Sequence, residues 1–219
     1  MVTCARVSRP WTPKETSSAM DSVQGFILVG GASSRMGSDK SRLMLDGRTF
    51  TEQIARALSG VVRSVTLVGK SIDSFGFERR DDVFAQWGAL GGIHAALAAC
   101  QSEWALVVAC DLPFVTPSLF TRLAGLRPGF EAVAPLQPNG YVQPLSALYR
   151  VDPCLERSEQ LIKAGQRRPL ALLDSVKTRL VAFEELSDLA DADHFFDNIN
   201  TPEDYLKATS KGGDSSAEG

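Results

Sequence analysis

The sequence predicts an open, doubly wound α/β fold, with a mostly parallel, Rossmann-like sheet held between two layers of helices in a three-layer arrangement. Three observations carry this expectation. Short apolar runs recur without polar alternation, as strands buried on both faces require. Segments with helical spacing separate those runs. The strand–helix–strand unit then repeats at least three times in the first 130 residues.

Taken in order, Gly25–Val29 (GFILV) is a short apolar run that reads as the first buried strand. Phe50, Ile54, Ala57 and Leu58 recur at helical spacing, and the valine-rich stretch Val61–Val68 reads as the second strand. Ile93, Ala96, Leu97 and Cys100 mark a further helix, and Trp104–Cys110 (WALVVAC) a third buried strand. Leu119, Leu123 and Leu126 lie on one face of a helix begun near Thr116-Pro117, where a capping residue precedes a proline at the first helical position. Glu131–Pro135 (EAVAP), Gln143–Tyr149 (QPLSALY) and Thr178–Phe183 (TRLVAF) read as later strands, with a helix over Asp152–Ala164 between the last two. Residues 1–22 are polar, contain prolines and lack a period, so they are expected to form a loose leader. From residue 209 the chain ends in low complexity (SKGGDSSAEG from Ser210), which is expected to be disordered. Between them no repeat or linker interrupts the pattern, so residues 23–208 are expected to form one domain.

Composition narrows the function classes. The 219 residues suffice for one core, and 44% hydrophobic with 22% charged residues is ordinary for a soluble globular protein. A net charge of −3 supplies no general attraction to nucleic acid. No apolar run approaches the roughly 20 residues that span a bilayer, and residues 1–20 hold no continuous apolar segment of the secretory type. Neither a nucleic acid nor a membrane is therefore expected as a partner. Cys4, Cys100, Cys110 and Cys154 are widely spaced and form no C-x-x-C pair, which argues against a zinc ribbon or a disulfide framework. His94 and His194 are isolated and read as surface or core residues. A reducing cytoplasm fits this usage.

In a doubly wound fold, ligands sit beyond the carboxyl ends of the strands. That rule singles out the run Leu28–Lys40 (LVGGASSRMGSDK), the Gly69-Lys70 pair, and Cys110-Asp111-Leu112-Pro113. Gly30 and Gly31 can turn successive N–H groups toward one anion. Ser33 and Ser34 can add hydroxyl donors, and Arg35 and Lys40 positive charge. This suits a triphosphate, although the spacing is neither the P-loop nor G-x-G-x-x-G. The bland alternative is a glycine-rich surface turn. Asp111, at the end of an otherwise uncharged strand, suits a Mg²⁺ ion, which prefers one or two carboxylates with phosphate oxygens and waters. Its alternative role is to cap the following helix. Gly88–Leu97 (GALGGIHAAL) opens a helix with glycines, leaving room either for a flat ring or for close packing on the sheet. Asn198 and Asn200 share one side if extended, and Thr201-Pro202-Glu203-Asp204 has the form of a helix start.

Together these segments resemble the molybdenum cofactor guanylyltransferases of the nucleotidyltransferase superfamily. LVGGASSRMGSDK is similar, almost position for position, to that family's L-x-G-G-x-S-x-R-M-G-x-D-K signature. GALGGI, CDLP, QPLSALYR and NINTPEDY match further family segments in the same order, over residues 24 to 208. The resemblance implies a nucleotide-diphospho-sugar transferase type of sheet. It also implies a Mg²⁺-dependent transfer of GMP from GTP to molybdenum-bearing molybdopterin, with release of pyrophosphate. By the same resemblance Leu28, Gly30 and Gly31 would contact guanine and phosphate, Lys40 would hold the phosphates, and Asp111 would bind Mg²⁺. Of the pair Asp81-Asp82, Asp82 is the favoured nucleotide contact. Asn198 and Asn200 would lie near the active site, and Arg167-Arg168 on the pterin side. Proteins that deliver the acceptor or take up the product are implied as transient partners, and no segment marks them.

Three departures qualify the match. Ala89 replaces the proline of G-P-L-x-G, which should loosen that turn by about 0.4–1 kcal/mol without loss of activity. Lys70 stands where some members carry a nucleotide-contacting asparagine, so that contact is not carried over. Val29 replaces the commoner alanine, while Gly30 stands where cytidylyltransferase relatives carry alanine, whose methyl would crowd a purine. No side-chain nucleophile is needed: the acceptor phosphate attacks in line, and Arg35, Lys40, loop N–H groups and Mg²⁺ on Asp111 would stabilise the developing charge. The alternatives are a molybdopterin cytidylyltransferase, a sugar-phosphate nucleotidyltransferase, or a non-catalytic nucleotide-binding regulator.

Overall fold

The computed structural model describes residues 22–29, 43–45, 47–69, 76–81, 84, 87–199 and 204–205. In chain order its strands are β1 (Val23–Leu28), β2 (Met44–Leu45), β3 (Arg48–Thr49), β4 (Val65–Val68), β5 (Glu78–Arg80), β6 (Trp104–Ala109), β7 (Ala132–Pro135), β8 (Ser146–Arg150) and β9 (Thr178–Val181). Its α-helices are α1 (Phe50–Ser59), α2 (Gly88–Ala99), α3 (Pro117–Gly125), α4 (Val151–Lys163) and α5 (Leu170–Ser175). β2 and β3 form a small antiparallel hairpin, and the other strands make a seven-stranded sheet in the order β5-β4-β1-β6-β8-β7-β9. β5, β4, β1 and β6 are parallel neighbours. β8 alone runs against the rest of the sheet, pairing antiparallel with both β6 and β7, while β7 and β9 pair in parallel.

The apolar runs at the centre of the sheet are buried on both faces, which is why they lack polar alternation. Val23 and Ile27 of β1 join Leu106 and Val108 of β6 in a cluster with Ile54 and Leu58 of α1 and Leu119, Phe120 and Leu123 of α3. Phe26 and Leu28 point the other way, to Leu90, Ile93 and Leu97 of α2, Cys154 and Ile162 of α4, and Leu172 of α5. The two clusters are the two core layers of a three-layer α/β fold. In the second layer burial pushes the Cys154 thiol up to about 12, aided by the nearby Glu131 carboxylate. The Tyr149 hydroxyl, also buried, donates to the Pro144 carbonyl at 2.7 Å.

Two caps fix helix starts. Thr49 and Glu52 form a reciprocal capping box on α1, with Glu52 N donating to Thr49 Oγ1 at 3.2 Å and Thr49 N to Glu52 Oε2 at 2.8 Å. The Thr49 backbone and side-chain hydrogen bonds hold the Glu52 carboxyl below its ordinary value. Thr116 caps α3 through Leu119 N at 3.4 Å, with Pro117 in the first turn, as the sequence predicts.

Several expectations need correction. The second strand is β4, Val65–Val68; Val61 and Val62 turn back on α1 instead, both N–H groups donating to the Leu58 carbonyl. The strand expected over Gln143–Tyr149 is β8, Ser146–Arg150, because Leu145 N donates to the Gln143 side chain at 3.2 Å instead of to a neighbouring strand. The last expected strand ends at Val181, where a 3₁₀ turn over Phe183–Glu185 begins. The helix expected over Asp152–Ala164 is α4, one residue earlier at each end. Cys100, placed on the face of the second helix, is the residue that closes α2. β5, the β2–β3 hairpin and α5 carry no expectation from the sequence. The tail and all but the last residue of the leader lie outside the described residues, as do residues 201–203 of the expected final helix start.

Candidate functional site

Strands β4, β1 and β6 end side by side, and three backbone hydrogen bonds tie the chain just past them. Cys110 N donates to the Leu28 carbonyl at 3.1 Å, Val29 N to the Val68 carbonyl at 2.8 Å, and Gly69 N to the Arg80 carbonyl at 3.0 Å. The exits of β6, β1, β4 and β5 are thereby joined into one carboxyl edge. Gly69 has φ +113°, and a Cβ there would stand 2.0 Å from the Val29 carbonyl oxygen. A side chain is excluded at that point by backbone on the other strand. α2 starts on the same edge, where Gly88 has φ +59°.

Leu28 closes β1 and is buried. A Cβ on Gly92 of α2 would lie 3.0 Å from Leu28 Cδ1, so this helical glycine lets α2 settle against the end of β1. Of the two readings of the glycine-rich helix start, close packing on the sheet accounts for Gly92.

Asp111 follows β6 and is half-buried. Its carbonyl accepts from Ile199 N at 3.2 Å, and Ile199 is anchored in a small cluster with Leu45 and Phe50. That bond brings the exposed Asn198 next to Asp111, although 87 positions (198 − 111) separate them in sequence. α3 takes its cap from Thr116, so Asp111 is not needed for that role. Among the described residues no group of three or more His, Cys, Asp or Glu could hold a metal. The donor chemistry on this edge fits a hard cation held by one carboxylate together with substrate oxygens and water, the pattern suited to Mg²⁺.

The remaining candidates line the same rim. Asp81 follows β5, exposed, and pairs with Arg79 at 3.3 Å. Arg167 and Arg168 follow α4 and are exposed. The Arg167 guanidinium lies 5.0 Å from the centre of the Trp87 ring, directly before α2. Trp87 was not singled out from the sequence; the available signal was an aromatic residue preceding the glycines of GALGGI. Gly30, Gly31, Ser33, Ser34, Arg35, Lys40, Lys70, Asp82 and Asn200 lie outside the described residues.

Comparison with known proteins shows the family and the fold. The profile of the MobA-like NTP transferase domain matches residues 25–179. A protein of Pelotomaculum thermopropionicum named a probable molybdenum cofactor guanylyltransferase is 33% identical over 84% of this chain and 90% of its own length. The molybdenum cofactor guanylyltransferase of Desulfosudis oleivorans is 32% identical over 86% of this chain and 95% of its own. Among solved structures, molybdopterin-guanine dinucleotide biosynthesis protein A of Archaeoglobus fulgidus superposes with a TM-score of 0.74 at 28% identity, covering 86% of this chain and 98% of that one. The 2-C-methyl-D-erythritol 4-phosphate cytidylyltransferase of Thermus thermophilus has a TM-score of 0.62 at 16% identity, over 85% of this chain and 97% of that one, and shares the fold.

Proposed function

The chain belongs to the MobA-like NTP transferase family and, within it, to the molybdenum cofactor guanylyltransferases, and on that premise we propose that it transfers GMP from GTP to Mo-molybdopterin with release of pyrophosphate. It is a nucleotidyltransferase of molybdenum cofactor biosynthesis. The observation that carries the finer reading is the meeting of Leu28, Asp111 and Asn198 on one strand edge, where the family's signature segments converge.

In this reading the acceptor phosphate oxygen forms a bond to the α-phosphorus of GTP. The bond to the bridging oxygen breaks in line, and pyrophosphate leaves with the electron pair. The chain contributes position and charge rather than a nucleophile. Lys40 and Arg35 would neutralise the phosphates, the N–H groups at Gly30 and Gly31 would hold them, and Leu28 and Asp82 would contact the nucleotide. Asp111 would hold Mg²⁺, which when bound there supplies charge neutralisation on the phosphate oxygens. Gly30 would admit guanine where a methyl would crowd it. Asn198, Asn200, Arg167 and Arg168 would face the acceptor. Among the described residues no helix is long and apolar enough to cross a membrane; the cytoplasmic placement is proposed from the wide spacing of the cysteines in the sequence.

The test is a nucleotide panel. The protein is incubated with Mg²⁺, molybdopterin carrying molybdenum, and GTP, CTP, ATP or UTP, and pyrophosphate is measured. Release with GTP alone is the expected outcome. Equal release with CTP would remove the guanine assignment, and GTP binding without release would favour a regulatory protein.

A further inference from the structure

Tyr141 is 71% exposed, more than any other large hydrophobic side chain among the described residues. It does not sit on a loose loop. Leu136 and Val142 form a β-bridge, Gln137 N donates to the Tyr141 carbonyl at 2.8 Å, and Gly140 N to the Gln137 carbonyl at 2.8 Å. Tyr141 N donates to Asn139 Oδ1 at 3.1 Å. An aromatic ring is thus held out toward solvent by an ordered hairpin.

The direction of β8 decides where this hairpin stands. β7 ends at Pro135 on the carboxyl edge, and β8, running the other way, starts on that edge at Ser146. The Leu145 carbonyl accepts from Ala109 N at 3.0 Å, two residues before Asp111. Val142 and Leu145 pack against the same core cluster as Trp87, which carries Arg167 over its ring. The hairpin therefore flanks Asp111 on the side away from β1, β4 and β5. Within it Gln143 is only 6% exposed. Its Oε1 accepts from Leu145 N at 3.2 Å, which fixes the orientation of the amide. With its oxygen committed to the backbone, the amide's N–H groups are the donors it can turn to a ligand.

Resting on the proposed guanylyl transfer, we infer that the hairpin over residues 136–145 is a wall of the acceptor subsite. Tyr141 stacks on the flat heterocycle of the pterin, and Gln143 Nε2 donates to one of its ring nitrogens or carbonyls. The nucleotide takes the β1 side of the edge. An in-line attack brings the acceptor from the opposite side of the α-phosphate to the leaving group, and the hairpin is the built surface beyond Asp111. Ring stacking is sequence-tolerant in nucleic acids because every base offers a π-face, and a pterin offers the same.

The experiment compares wild type, Tyr141→Ala and Tyr141→Phe. With GTP saturating and Mo-molybdopterin varied, Tyr141→Ala should raise KM for the acceptor roughly tenfold, the loss expected for one stacked ring. kcat, KM for GTP and Tm should stay near wild type, and Tyr141→Phe should restore the acceptor KM. Titration with free pterin, followed by quenching of its fluorescence, reads the same contact without turnover and should show the same loss of affinity. An unchanged acceptor KM or pterin affinity in Tyr141→Ala, or a Phe variant as impaired as Ala, would overturn the inference while leaving guanylyl transfer intact. Pterin that fails to bind wild type would overturn it as well. A wild-type protein that binds pterin yet transfers no GMP would instead count against the function proposed above.

Discussion

Asp111 is the residue on which the reaction reading turns. It breaks an otherwise uncharged run, and the backbone on both sides of it is committed: Cys110 N to Leu28, and the Asp111 carbonyl to Ile199 N. Those bonds fix the position of its backbone. Asp111→Ala should keep the fold, measured by circular dichroism and Tm, while Mg²⁺-dependent GMP transfer falls about a hundredfold or more. Near-normal turnover would remove the metal assignment. Lys40→Ala should lower kcat by a comparable factor, and a change confined to GTP affinity would make Lys40 a binding accessory. Asp111 was legible in the sequence because a charge at the end of a buried strand stands out. The Trp87–Arg167 contact was not, because nothing in spacing joins residues so far apart in the chain. The same holds for the bond that seats Asn198 beside Asp111.

At the level of elements, the buried strands and the two principal capped helices declare themselves through burial and chemistry. β6 is apolar throughout, β1 is apolar from Gly25 to its end, and α3 opens on Thr-Pro. β5 could not be found that way. Its residues Glu78, Arg79 and Arg80 are exposed and charged, and it exists only as an edge strand paired to β4. The direction of β8 was equally silent, since a central strand shows the same buried face whichever way it runs. The joint between β1 and β4 gives the prediction at this scale. Gly69→Ala meets the Val29 carbonyl, which cannot move without moving the exit of β1. The variant should lose about 1–3 kcal/mol of stability in urea unfolding, and GTP binding should weaken with it because the signature run starts there. A variant as stable as wild type, with normal GTP binding, would show that the two strand exits are not coupled.

For the whole molecule, the two core layers meet the ligand edge only at strand ends, so ligand binding and core stability should be linked through that edge. GTP with Mg²⁺ should raise Tm, corresponding to about 2.7 kcal/mol at a hundred times its Kd. Chelating the Mg²⁺ should remove most of that rise, and Asp111→Ala should show little Mg²⁺ dependence. A thermal shift indifferent to Mg²⁺ in wild type would contradict the proposed metal site. The three-layer architecture was readable from the alternation of apolar runs and helical faces, because each buried strand needs cover on both sides. Which loops from that architecture make the acceptor side was not, since that depends on strand order and direction.

The reversed strand has one further consequence. A parallel neighbour would have required a long crossover between β7 and β8, with a helix crossing a face of the sheet. Reversal replaces that crossover with a short turn whose ends are clamped by the Gln143 N to Pro135 carbonyl bond at 2.9 Å and the Ala109 N to Leu145 carbonyl bond. The segment between those clamps can be lengthened, shortened or exchanged without disturbing the register of the sheet. It is a cassette: transplanting it between relatives would alter what is grasped beside a fixed nucleotide while the framework beneath stays the same.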